Sequence, residues 1–183
     1  MSVKIENSCG LKILEAIRIN KVLPMVKGNL LDIGCGCNNL VKNYKKIYGG
    51  KGIGVDVYPW PEVDEVVKDS SKLKYLNDTF DTVSFLANLN HIPYRKGVLK
   101  EAYRLLKPGG LLIITMISSR VGDFWHKFPE KLWGERGKGR SFKEGEQGGL
   151  DHSEITKLVK EAGFVLKKRE RFALLNNVYV AIK

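Results

Sequence analysis

Three aspartates stand where turns would gather them. They are Asp32 in Leu30-Leu31-Asp32-Ile33-Gly34-Cys35-Gly36, Asp56 in Gly52-Ile53-Gly54-Val55-Asp56-Val57, and Asp69 beside Ser70. Asp32 lies two residues before a glycine turn that follows a short apolar run. At the carboxyl end of a buried strand, such a turn is where an open α/β sheet holds a nucleotide-like ligand. Glycine lets the backbone turn sharply and lets a ligand approach where a side chain would block it. The dinucleotide fingerprint G-x-G-x-x-G fails, because Asn39 fills the third glycine position, and no Gly-Lys-Ser/Thr follows to cradle phosphate. A carboxylate at Asp32 repels a pyrophosphate but suits a ligand bearing an ammonium and a sulfonium. Asp56 can accept bonds from both hydroxyls of a ribose. Asp69, with Ser70, can receive the exocyclic amine of an adenine.

The elements that must position these acids alternate strand and helix. An amphipathic lead-in helix is read over Leu11–Val26, broken near Pro24. A strand follows at Asn29–Ile33, then a helix with Leu40, Val41, Tyr44 and Ile47 or Tyr48 on one face and Asn38 or Asn39 as N-cap. Strands are predicted at Gly52–Asp56, around Val63–Val67 and at Phe80–Leu86. A helix at Lys96–Leu106 ends at Lys107-Pro108-Gly109-Gly110, before a buried strand at Leu111–Met116. A last helix, capped by Ser153 and stopped at Gly163, precedes strands at Phe164–Phe172 and Asn177–Ile182. These lengths imply an α/β fold with a doubly wound, mostly parallel seven-stranded sheet and an antiparallel C-terminal hairpin. Ser118–Leu150 breaks the rhythm, with seven glycines and five Phe or Trp residues. A loop that long reads as a lid or binding segment within a single domain spanning residues 1–183.

Composition narrows the class. With 183 residues, 43% apolar and 28% charged, the chain reads as one globular domain. No apolar stretch is long enough to span a bilayer, and Met1–Lys12 carries no signal-peptide core, so a cytoplasmic location is expected. Cys9, Cys35 and Cys37 cannot all pair within one chain, and reduced thiols are the expectation. The net charge of +11 is spread over nearly every helical segment, which reads as solubility rather than as a nucleic-acid footprint.

In order along the chain, LLDIGCGCNN, GIGVDV, KDSSKL, FDTVSFLANLNHIP and EAYRLLKPGGLLIIT resemble the motif set of class I S-adenosylmethionine-dependent methyltransferases. Within that class the strings are closest to the small type 11 methyltransferase-domain subgroup. The resemblance covers Leu30 to about Thr115 and implies a Rossmann-like methyltransferase fold with S-adenosylmethionine as cofactor and S-adenosylhomocysteine as product. It implies that Asp32, Gly34, Cys35 and Gly36 hold the methionine part, and that Asp56 grips the ribose with Val57 against the adenine. Asp69 and Ser70 would read the adenine edge, and Leu86, with Ala87 adjacent, would offer its carbonyl to the ammonium. Asn38 stands where many members carry a third glycine; asparagine tolerates left-handed backbone better than most residues.

The implied reaction is direct in-line transfer of an activated methyl, which needs alignment and exclusion of water but no metal. The acceptor is read as a small molecule, in a pocket floored by Asn88 and closed by Phe124, Trp125, Phe128 and Trp133. His91, His126 and His152 are the candidates for a general base if the acceptor must lose a proton, and each has a packing or positioning role as its duller reading. Two other functions stay open. One is an RNA or protein methyltransferase using basic residues Lys127, Lys131, Arg136, Lys138, Arg140 and Lys143, although Glu130, Glu135, Glu144 and Glu146 interrupt that run. The other is a non-catalytic S-adenosylmethionine-binding module.

Overall fold

The computed structural model describes residues 13–119, 149–173 and 176–183. Leu30, Leu31 and Ile33 have no exposed surface, as a strand covered on both faces requires. They form β1 (Asn29–Ile33), an interior strand of a seven-stranded sheet. Before it come α1 (Ile13–Val22) and a 3-10 turn, Leu23–Met25, where Pro24 stops the helix. After it come α2 (Asn39–Tyr48), β2 (Lys51–Asp56), β3 (Glu65–Val66) and β4 (Phe80–Leu86). A 3-10 turn at Leu89–His91 leads into α3 (Arg95–Leu105) and β5 (Leu106–Ile117). The described chain closes with α4 (His152–Glu161), β6 (Val165–Phe172) and β7 (Asn176–Ile182).

The strand order is β3-β2-β1-β4-β5-β7-β6. The first five strands run parallel, and β7 enters antiparallel to both β5 and β6. Alternation along each strand divides the core in two. Leu31, Ile33, Val83, Phe85 and Ile114 meet Leu99 and Ala102 of α3 and Ile155 and Val159 of α4. Leu30, Ile113 and Val178, on the other face, meet Ile19 and Val22 of α1 and Leu40, Val41 and Tyr44 of α2. Burial of this kind contributes roughly 1.5–3 kcal/mol per large apolar side chain. It makes the sheet the rigid support from which the β1 and β4 ends project.

The departures from expectation have local causes. β5 starts at Leu106 rather than at Leu111, with a register shift against β4 between Phe80 and Thr82. The Gly109 amide donates to the Lys183 carbonyl, so the glycine-rich stretch is tied to the end of β7 instead of forming a free turn. β3 is two residues long, not five. Both are exposed at the sheet edge, where a short strand offers little to a foreign chain. β6, at the other edge, exposes Lys167, Lys168 and Arg169, so part of the positive charge guards the open edge of the sheet. Asn38 stands at the N-cap position of α2. It adopts the left-handed conformation (φ 58°) and its side chain caps no amide of that helix. Asp151 rather than Ser153 precedes α4, and its carboxylate accepts the amide and hydroxyl of Ser119. The reduced-thiol expectation is overturned at Cys37, which is disulfide-bonded, whereas Cys35 is free. Among the described residues no helix is long and apolar enough to cross a membrane.

The parallel register places Gly54 against Asn38. A Cβ built there would lie 2.0 Å from Asn38 Oδ1 and 2.9 Å from Cys35 Sγ. At Gly52 the nearest atoms, the Cβ and O of Leu30, stand at 3.1 Å. Gly54→Ala should therefore lower the melting temperature by about 5 °C or more, and Gly52→Ala by less. Thermal denaturation of the two variants checks the order.

Candidate active site

The carboxyl ends of β1, β2 and β4 converge on the turn that joins β1 to α2. Asp32 is only 2% exposed, and its Oδ1 accepts the Ser84 hydroxyl of β4 at 2.7 Å. No lysine or arginine pairs with it among the described residues. Burial pushes its carboxyl up to about 7; the Ser84 bond opposes that rise, and the nearby carboxylates of Asp56 and Glu15 add to it. Asp56, also buried, is gripped at both oxygens: Oδ2 accepts the Gly36 amide at 2.9 Å and Oδ1 the Tyr58 amide at 3.0 Å. Each oxygen keeps acceptor capacity for a further donor.

The turn spends its amides internally. Gly34 and Cys35 both donate to the Val55 carbonyl of β2, at 2.8 and 3.1 Å, Gly36 donates to Asp56, and Asn38 donates to the Cys35 carbonyl. A phosphate-binding loop needs those N–H groups pointing at its ligand. Here they point at β2, and the turn presents carboxylates instead. Gly34 and Gly36 take left-handed backbone, with φ of 72° and 56°. A Cβ at Gly36 would meet nothing within 4 Å, so that side of the turn lies open.

Two asparagines lock the turn from outside. Asn38 Nδ2 donates to the Glu62 carbonyl at 3.0 Å and to Asp64 Oδ2 at 2.8 Å, and Asp64 Oδ2 also accepts the Gly54 amide. Asn88, just past β4, donates from Nδ2 to the carbonyls of Ile33 and Gly34 at 2.6 and 2.9 Å. Its Oδ1 is buried with no partner. Before it stands Ala87 in left-handed conformation (φ 53°), its amide donating to the Thr115 carbonyl. Leu86 packs against the α1–α2 face of the sheet.

The remaining residues singled out from the sequence divide. Val57 and Tyr58 are exposed beside Asp56, and the Tyr58 and Trp60 rings stand 4.7 Å apart. Asp69 is exposed; Ser71, not Ser70, donates both its amide and its hydroxyl to Asp69 Oδ1, at 2.8 and 2.7 Å. Those bonds hold the carboxyl below its usual range. The Cys35 thiol is pushed up, first by burial and then by Asp32, Asp56 and Asp64, so it is no thiolate nucleophile. His91 lies in the turn after β4 with its Nε2 3.2 Å from Asn90 Nδ2. His152 begins α4 and stacks on Tyr179, with ring centroids 5.7 Å apart. His126, Phe124, Trp125, Phe128 and Trp133 lie outside the described residues.

Sequence reasoning missed Glu15, Asp64 and the true partners of Asn88. Glu15 of α1 accepts the Asn39 amide side chain at 3.0 Å and lies near enough to Asp32 to raise its pKa. The site thus gathers carboxylates around an open glycine turn, with an unpartnered buried acceptor at Asn88. That set of acceptors fits a ligand with an ammonium, a sulfonium and a ribose.

A family model described as a methyltransferase domain matches residues 14–168. The chain belongs to that family. Its fold is that of S-adenosylmethionine-dependent methyltransferases. A ubiquinone biosynthesis O-methyltransferase of Aliivibrio fischeri is 24% identical over 129 residues, 61% of this chain and 55% of that protein. The chain spans about half or less of the length of such curated relatives. Two solved structures share the fold. An S-adenosylmethionine-dependent methyltransferase of Thermotoga maritima has a TM-score of 0.70 at 19% identity, covering 91% of this chain and 88% of its own. The 1,6-didemethyltoxoflavin-N1-methyltransferase of Burkholderia thailandensis, with bound 1,6-didemethyltoxoflavin and S-adenosylhomocysteine, has a TM-score of 0.66 at 19% identity, covering 91% and 78%.

The raised Asp32 carboxyl has a thermodynamic consequence. A group whose folded pKa exceeds its unfolded value contributes stability that is full below the unfolded pKa and lost as pH rises through the folded one. For Asp32 that window runs from about pH 4 to about pH 7. Asp32→Asn removes the titration, so the ligand-free variant should gain on the wild type across this window. By pH 8 it should melt higher by about 5 °C or more. Melting curves of both proteins from pH 4 to 8 measure the difference.

Proposed function

We propose that this chain transfers a methyl group from S-adenosylmethionine to a small-molecule acceptor by direct in-line displacement. The observation that carries the reading is the pairing of Asp32 and Asp56 at one turn. The first is buried with no counter-cation among the described residues, and the second is held at both oxygens by backbone amides. When bound, the cofactor supplies a methyl already activated by its sulfonium.

The chain's own residues then have to bind, orient and exclude water. Asp32 favours the cationic end of the ligand, and its own ionisation is favoured in return. Asp56 accepts from the ribose hydroxyls, with Val57 and the Tyr58–Trp60 ring pair beside it. Leu86 offers its carbonyl toward the ammonium, and Asp69 takes the adenine amine. His91, in the turn after β4, is the candidate in this reading for holding a proton of the acceptor; His152 stacks on Tyr179.

Small-molecule acceptors are supported by the quinone-biosynthesis enzyme among the relatives and by the fold neighbour that binds 1,6-didemethyltoxoflavin. The interrupted basic run in the sequence offers no continuous phosphate track. Incubation with methyl-labelled S-adenosylmethionine and a panel of phenols, hydroquinones, heterocyclic amines, RNA and protein tests the acceptor class. Label is expected in a small molecule; label confined to RNA or protein overturns the assignment. In the same preparation Asp56→Ala should weaken S-adenosylmethionine binding at least roughly tenfold, as loss of charge-assisted bonds implies. Unchanged affinity would remove Asp56 from the ribose.

A further inference from the structure

We infer that Asn88 is a positioning residue that sets the shape of the cofactor turn from the end of the neighbouring strand. This rests on the reading of that turn as the S-adenosylmethionine site. Asn88 does not extend β4 toward the solvent. Ala87 bends the chain through a left-handed conformation, at φ 53°, which costs an alanine about 1 kcal/mol or more. The bend brings the Asn88 side chain back over β1, where one amide nitrogen spans two consecutive carbonyls, Ile33 and Gly34.

That bridge has a reciprocal demand on the turn. A Cβ at Gly34 would stand 2.5 Å from Asn88 Nδ2 and 3.0 Å from its Cγ. Gly34 is therefore required twice, for its φ of 72° and for the approach of this amide. The bridge also completes the set of internal bonds that close the turn. Val55 and Asp56 accept the amides of Gly34, Cys35 and Gly36, and Asn88 Nδ2 donates to the carbonyls of Ile33 and Gly34. With its polar groups spoken for on the β2 and β4 sides, the turn has one arrangement, and the ligand binds without ordering it first. Asn88 thereby links the end of β4 to the methionine-binding turn.

The test uses the full chain and S-adenosylhomocysteine as probe. Asn88→Leu keeps the side chain's size and removes both donors. Calorimetric titration should show affinity weakened by roughly tenfold or more, as for two lost hydrogen bonds. Val159→Ala, in α4 on the opposite face of the core, lowers the melting temperature too but should bind S-adenosylhomocysteine within about twofold of wild type. Should Asn88→Leu not fold, the wild-type side-chain amide decides by nuclear magnetic resonance. Two distinct, slowly exchanging Nδ2 protons are expected. Unaltered affinity in Asn88→Leu, an equal loss in Val159→Ala, or rapidly exchanging Asn88 amide protons would each overturn the inference while leaving the cofactor assignment standing. A wild-type chain that does not bind S-adenosylhomocysteine would instead overturn the cofactor assignment, and the inference with it.

Discussion

Everything at the site depends on where one turn sends its backbone amides. Gly34, Cys35 and Gly36 donate to the end of β2, through the Val55 carbonyl and the Asp56 carboxylate. That choice removes the donors an anion would need and leaves the turn flanked by acids. The same bonds fix the Asp56 carboxylate relative to β1. The rest of the sheet serves this arrangement, because β1 and β2 must be in register for Val55 to stand opposite Ile33. A slip of one residue would turn Asp32 to the other face.

Fold and function are joined by the division of the core. Asp32 and Ser84 lie on the α1–α2 face with Leu30 and Ile113, beneath α1, which also carries Glu15. The other face, with Val83, Phe85 and α3, is apolar throughout its centre. A carboxylate buried under a helix without a counter-ion is costly in isolation. Its retention is intelligible if a cationic ligand completes the site, and the price in ligand-free stability is a mark of that function.

Much of this was legible in the chain. The limits of β1 and β4 match the residues expected, because their apolar runs are bounded by turn chemistry. Asp32 and Asp56 were legible because each ends such a run. Asn38 was legible as a residue able to take left-handed backbone, but its side-chain partners were not. Asp64 stands 26 residues from Asn38, Glu15 stands 24 from Asn39, and Ile33 stands 55 from Asn88. Contacts across such distances follow from sheet order and helix placement, and no local pattern announces them. The bond from Ser71 to Asp69 was not legible without a backbone, because it depends on a turn in which Asp69 bonds its own chain two residues on. The early start of β5 was hidden by Pro108 and two glycines, which read as a terminator until the end of β7 is seen pairing with them.

The central claim is that this turn is built for a cation-bearing adenosyl ligand, with Asp32 answering its charge. Calorimetric titration of S-adenosylmethionine near pH 6.5, repeated in two buffers of different ionisation enthalpy, tests it most directly. At that pH the ligand-free Asp32 is largely protonated, its carboxyl being raised to about 7. The account predicts binding accompanied by net proton release, abolished in Asp32→Asn. Binding with no proton release in either protein would contradict it.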